Sequence, residues 1–208
     1  HAPCLYVKRV DGSTDSRSTT PIVAALCTHV DDIFVTASPE NVHLLDDLAA
    51  HLIKCLHGIK RVRDPTSFVG IAMERNMDTG ECSLHQRPYI QACLVKYGLD
   101  QPMSSGRLVS RPHTTDLFRP GPESSPSVSI DLFQEMVGCL HWCSATHGEL
   151  NPTLSLLSSR TQTPTVDDQT KLFRVWGYLR DNISTSVLTL RRCDGFKLVG
   201  TADAAFRV

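Results

Sequence analysis

Two short apolar runs, IVAALCTHV (22–30) and IFVT (33–36), bracket the adjacent aspartates Asp31 and Asp32. Each run is rich in residues that favour extended backbone and is short for a helix, which predicts two strands. With only the aspartates between them, the strands can pair only by folding straight back on one another. The chain is therefore expected to hold an antiparallel hairpin with two carboxylates at its tip. Carboxylates ~4 Å apart repel by about 4 kcal/mol at an effective dielectric of 20. Such a tip must be solvated, partly protonated or neutralised by a cation, and oxygen donors of this kind suit Mg²⁺. An acidic turn explains the dipeptide alone more simply.

The surrounding sequence places this hairpin in an α+β setting. CLYVKRV (4–10) reads as a strand and DGSTDSRSTTP (11–21) as loop. A helix is predicted from SPENVHLLDDLAAHLIKCLHG: Ser38 can cap it, Pro39 fits its first position, and Val42, Leu45, Ala49, Leu52 and Leu56 recur on one face up to Gly58. IKRVRD (59–64), SFVGIAMERN (67–76) and ECSLHQ (81–86) read as three strands, the last two joined by MDTG. PYIQACLVKYGL (88–99) reads as a short helix. Residues 101–129 shift to Pro, Ser, Gly and Arg, which marks a linker or irregular crossing segment and the expected domain boundary. Three helices follow, in IDLFQEMVGCLHWCSATH, NPTLSLLSSR and TVDDQTKLFRVWGYLRD, the last capped by Thr165 with Asp167 and Asp168 in its first turn. STSVLTLRR and FKLVGTAD read as closing strands.

Charge gives no hint of a polyanion partner, since 21 Lys and Arg face 22 Asp and Glu. A nucleic-acid surface must come from local clusters. The clearest are KRVRD, with Lys60, Arg61 and Arg63, and LRRCDGFK, with Arg191 and Arg192. These side chains suit phosphate contacts, although solvated strand faces account for clusters this short equally well. Eight scattered cysteines without a C-x-x-C pair, no charged-then-apolar leader and no apolar run of ~18 residues predict reduced thiols in an intracellular protein, cytoplasmic or nuclear, with no membrane partner.

The segments PCLYVKR, HVDDIFVTAS, FVGIAMERN, GECSLHQRPYIQACLVKYGL, FQEMVGCLHWCSATH, FRVWGYLRD and LVGTADAAF occur in this order across nearly the whole chain. In that order the chain resembles the C-terminal part of the reverse transcriptase of copia-type LTR retrotransposons. The resemblance implies a partial polymerase palm over 1–100, an antiparallel sheet with flanking helices. It further implies the crossing segment over 101–129, a helical thumb or connection region over 130–183 and the truncated first strands of an RNase H-like domain over 184–208. Asp31 and Asp32 would be the palm's catalytic, metal-binding aspartates, Asp31 the stronger candidate for direct ligation. Phe68, Val69, Gly70 and Ile71 would form the hairpin that positions the primer end, and Asp203 would be the first catalytic aspartate of the RNase H-like domain. The parent protein would be an RNA-directed DNA polymerase handling an RNA or DNA template-primer, dNTPs and two Mg²⁺ ions.

Several positions depart from the family pattern, as expected of a degenerate or domesticated copy. His29 stands where the family has Tyr, THGE (146–149) where a Thr-Arg-Pro-Asp run is usual, and Ala205 with Phe206 where it has Asp-Trp. Two-metal nucleotidyl transfer needs a further palm aspartate from an upstream strand, and Asp11 and Asp15 sit in loop chemistry instead. The initial His and the strand-like final segment suggest a piece of something longer, still requiring its fingers, upstream palm and remaining RNase H segments. No polymerase activity is expected of these residues alone. A non-catalytic remnant acting as a structural or interaction module is the alternative. Cys139, Cys143 and His147, with His141 nearby, share one predicted helix; zinc ligands usually come from turns, so thiols packed in a helix interface are expected there.

Overall fold

The computed structural model describes residues 4–13, 18–56, 58–102, 108–114, 126–185 and 187–191. These form a mixed α+β structure with five α-helices and two antiparallel sheets. The chain divides into two compact units, His1–Ile71 and Ala72–Val208, so the division falls after Ile71 rather than within 101–129.

In the first unit, β1 (Leu5–Arg9), β2 (Ile22–His29) and β3 (Asp32–Ala37) form an antiparallel sheet in that order. The register pairs Leu5 with Cys27, Leu26 with Val35, and His29 with Asp32 at the closed end. Alternation puts Tyr6, Leu26 and Val35 on one face and Leu5, Cys27 and Phe34 on the other. A 3₁₀ turn at Pro39–Asn41 precedes helix α1 (His43–Cys55). Ser38 does not cap a backbone N–H; its hydroxyl accepts from Asn41 Nδ2 at 2.8 Å. The apolar stripe of α1 is only partly covered: Leu45, Ala49 and Leu52 are half-buried, while Val42 and Leu56 are exposed.

Residues 59–64 are irregular, where alternation predicts a strand. Gly58 at φ +86° and Asp64 at φ +47° depart from extended backbone at either end, and Arg61 and Arg63 turn onto Asp46 of α1. SFVGIAMERN is likewise two strands, β4 (Ser67–Phe68) and β5 (Ile71–Asn76), separated by a turn with positive φ at Val69 and Gly70. Positive φ at both central residues is the signature of the mirror-image turns that match strand twist, and Gly70 adopts it without a Cβ penalty.

In the second unit, β5 pairs with β6 (Glu81–His85), and β6 pairs with β7 (Leu188–Leu190), a strand that the family resemblance implies would open a separate domain. Helices α2 (Arg87–Lys96), α3 (Ile130–Cys143), α4 (Asn151–Ser159) and α5 (Val166–Asp181) bury a common core that includes Phe133, Leu140, Leu154, Leu172, Trp176 and Leu179. Thr165 and Asp168 close a capping box: the Thr165 hydroxyl accepts from the Asp168 N–H, and the Asp168 carboxylate accepts from the Thr165 N–H. Gln86 is fully buried; its Nε2 donates to the Trp142 carbonyl at 3.0 Å and its Oε1 accepts from Thr146 Oγ1 at 2.9 Å. The described part of the crossing segment is tied down by Val109, whose N–H donates to Asp181 at 2.7 Å and whose carbonyl accepts from Asn182 Nδ2 at 2.9 Å. Among the described residues no helix is long and apolar enough to cross a membrane.

Candidate cation and nucleic-acid site

The β2–β3 reversal is as tight as a hairpin can be. His29 and Asp32 are the last paired residues, so Val30 and Asp31 alone turn the chain, and Asp32 opens β3. Val30 carries the positive φ, +54°, and is 93 % exposed. Asp31 and Asp32 are both exposed, as is His29. Neither carboxylate has an ion-pair or hydrogen-bond partner among the described residues. The two acids therefore stand in water at a fixed reversal, which is the solvated state that their mutual repulsion requires.

The chemistry of this pair fits part of an Mg²⁺ shell: hard oxygen donors, accessible and uncommitted. Its number falls short of a complete protein set, for among the described residues no group of three His, Cys, Asp or Glu side chains comes together as metal ligands. Of the two acids in the β1–β2 connection, Asp15 lies outside the described residues and Asp11 is committed elsewhere. Its carboxylate accepts from the Ser13 N–H at 2.9 Å and the Thr20 hydroxyl at 2.7 Å, and these bonds hold its pKa below 3.8.

The predicted primer-positioning residues form the second reversal of the first unit. Phe68 ends β4, Val69 and Gly70 make the turn, and Ile71 begins β5. The Phe68 ring packs on Phe34 of β3, with centroids 5.3 Å apart and planes tilted by 46°. A tilted aromatic pair at this distance adds about 0.5–1.5 kcal/mol beyond its buried area. It fixes the start of the second reversal against the strand that follows Asp31 and Asp32. The sequence offers no sign of this contact, since Phe34 reads there only as one residue of an apolar run.

Of the predicted phosphate-binding side chains, Lys60, Arg61 and Arg63 share the loop 59–64. Lys60 is exposed and has no partner among the described residues. Arg61 Nη2 lies 2.6 Å and Arg63 Nη2 3.1 Å from the same oxygen, Asp46 Oδ1. Arg61 first and Arg63 with it hold the Asp46 carboxyl below its ordinary 3.8, so it is ionised at neutral pH. Arg191 belongs to the other unit and pairs with Glu81 at 3.0 Å across the β6–β7 ladder. Arg192 and Asp203 lie outside the described residues.

The thiols of α3 pack as side chains of a helix interface. Cys143 is fully buried and Cys139 half-buried, 3.2 Å from the Tyr97 hydroxyl. Burial pushes the Cys93 and Cys143 thiols up, which keeps them protonated and poor ligands or nucleophiles. His147 Nδ1 faces Glu149 at 3.2 Å and His141 Nε2 faces Ser158 at 2.7 Å, so the two imidazoles serve local contacts. Comparison with protein-family models, curated proteins and solved structures finds no match to the chain.

Proposed function

We propose that the chain is the C-terminal part of a copia-type reverse transcriptase, with a palm hairpin, thumb-like helices and the first strands of an RNase H-like domain, acting on an RNA or DNA template-primer with dNTPs. The observation that carries this reading is the pair of exposed carboxylates, Asp31 and Asp32, without a partner among the described residues and held at a two-residue reversal. The second reversal, Phe68–Ile71, supports it by packing Phe68 on Phe34 of the same hairpin. The basic loop carrying Lys60, Arg61 and Arg63 supplies phosphate-binding chemistry in the same unit.

Mg²⁺ bound between this pair and a substrate phosphate would neutralise charge on both. Asp31 and Asp32 would contribute oxygen ligands, both presented at the two-residue reversal. Two-metal nucleotidyl transfer needs a further palm aspartate, and Asp11 and Asp15, the acids ahead of the hairpin, sit in loop chemistry instead, so these 208 residues are expected to bind but not to polymerise. Fluorescence anisotropy with a labelled template-primer duplex tests the reading. Added Mg²⁺ should tighten binding for the native chain and leave Asp31→Asn/Asp32→Asn unchanged, while primer extension yields no product. Template-dependent synthesis by the chain alone, or an equal response to Mg²⁺ in both proteins, contradicts it.

One observation favours a non-catalytic interaction module instead. Every buried side chain among the described residues lies in the second unit, where α2–α5 supply a packed core independent of the aspartate hairpin. Absence of any duplex binding, with or without Mg²⁺, selects that reading.

A further inference from the structure

The most unusual charge arrangement outside the aspartate hairpin is the convergence of Arg61 and Arg63 on one carboxylate oxygen. Two guanidiniums repel, and both would ordinarily extend into water from an irregular loop. Here Asp46, projecting from α1, draws their Nη2 atoms to 2.6 and 3.1 Å from its Oδ1. Each guanidinium has five N–H donors in a planar fork, and this contact occupies one corner of each. Lys60, exposed and unpartnered among the described residues, brings the loop's cations to three; with Asp64 in the same loop its formal charge is +2, and Asp46, the acid that gathers the two arginines, lowers it to +1.

We propose that Asp46 sets how strongly the 59–64 loop grips a nucleic-acid phosphate backbone, by competing with phosphate for the Arg61 and Arg63 guanidiniums. The sign follows from magnitudes. As a positioning device, an exposed ion pair contributes ~0–1 kcal/mol, which water and salt readily erode. As a competitor, Asp46 cancels a full charge at the place where phosphate must bind. Competition therefore outweighs positioning, and removing the carboxylate strengthens binding. If Asp46 takes the place of one phosphate contact, its loss adds about one released counterion and steepens the slope of log K against log salt by about 0.9. With the proteins equal near 1 M salt, the same slope gives binding about fifteenfold tighter at ~50 mM and about fivefold tighter at ~150 mM.

This inference rests on the nucleic-acid-binding reading, and its test separates the two by omitting the metal. Binding of a short DNA duplex is measured in EDTA across a salt series for the native chain, Asp46→Asn and Asp47→Asn. Asp47 is adjacent on α1 and forms no ion pair among the described residues, so its substitution changes the net charge equally without releasing the arginines. Asp46→Asn should bind more tightly and with a steeper salt slope, Asp47→Asn should shift by less than twofold, and adding Arg61→Gln and Arg63→Gln to Asp46→Asn should erase the gain. Circular dichroism confirms that each variant is folded. Equal affinity of Asp46→Asn and the native chain, equal gains for Asp46→Asn and Asp47→Asn, weaker binding by Asp46→Asn, or no binding by any of them overturns the proposal. The role of the aspartate hairpin is read only in the response to Mg²⁺, so either idea can fail while the other stands.

Discussion

Replacing Val30 by Gly should stabilise the aspartate hairpin, although it removes an apolar side chain. Val30 sits at the first central position of the reversal with φ +54°. Left-handed backbone costs an L-residue about 1–2 kcal/mol, and a β-branched side chain adapts to it badly. Three terms decide the outcome. Glycine recovers that 1–2 kcal/mol of strain. It forfeits about 0.5–1 kcal/mol through the greater freedom of the unfolded chain. At 93 % exposure the valine side chain has little burial to lose, about 0.1–0.2 kcal/mol of the 1.5–3 that full burial of such a side chain is worth. The balance is a gain of about 0.6 kcal/mol, or roughly threefold in an opening equilibrium. Native-state hydrogen exchange of the β2 and β3 amides reads that equilibrium directly, and Val30→Ile, which keeps the branched Cβ, serves as the control. Slower exchange in Val30→Gly with no change in Val30→Ile is the expected pattern. Faster exchange in Val30→Gly would mean that Val30 makes contacts which hold the tip, and would refute the strain argument.

Two further outcomes follow from the second unit. Thr165→Ala removes the hydroxyl that accepts from the Asp168 N–H, and should lower stability by about 1 kcal/mol in urea denaturation, whereas Thr165→Ser should preserve it. Burial opposes ionisation of Asp181, but the Arg180 guanidinium and the Val109 N–H outweigh it and hold its pKa below 3.8. A carboxylate depressed in the folded state contributes stability that is present above the unfolded value and lost as pH falls through the folded one. Acid titration of stability should therefore show a loss beginning below about pH 4 that is shallower in Asp181→Asn.

The hairpin was legible because its signal is local: two extended runs with no spare residues between them leave one way to pair. Helices α2, α3 and α5 were legible for a related reason, since Pro88 opens the first, Gly98 at φ +65° follows its end, and Thr165 with Asp168 starts the last. The 59–64 segment was not legible. Its alternation of basic and apolar residues imitates a strand, while its conformation is set by positive φ at Gly58 and Asp64 and by Asp46, 15 and 17 residues before Arg61 and Arg63. The Phe34–Phe68 contact and the buried Gln86–Thr146 hydrogen bond escaped notice because each joins residues distant in sequence whose types carry no pairing code. For α1 the apolar stripe gave the helix correctly but not its burial, since the first unit buries no side chain fully among its described residues.

The most direct test of the hairpin's role is paramagnetic broadening of backbone amide resonances by trace Mn²⁺ in the presence of a template-primer duplex. The expected result is broadening centred on His29–Ile33 in the native chain and abolished in Asp31→Asn/Asp32→Asn. Broadening centred elsewhere, or unchanged by the double substitution, would show that the exposed acids are an ordinary solvated turn.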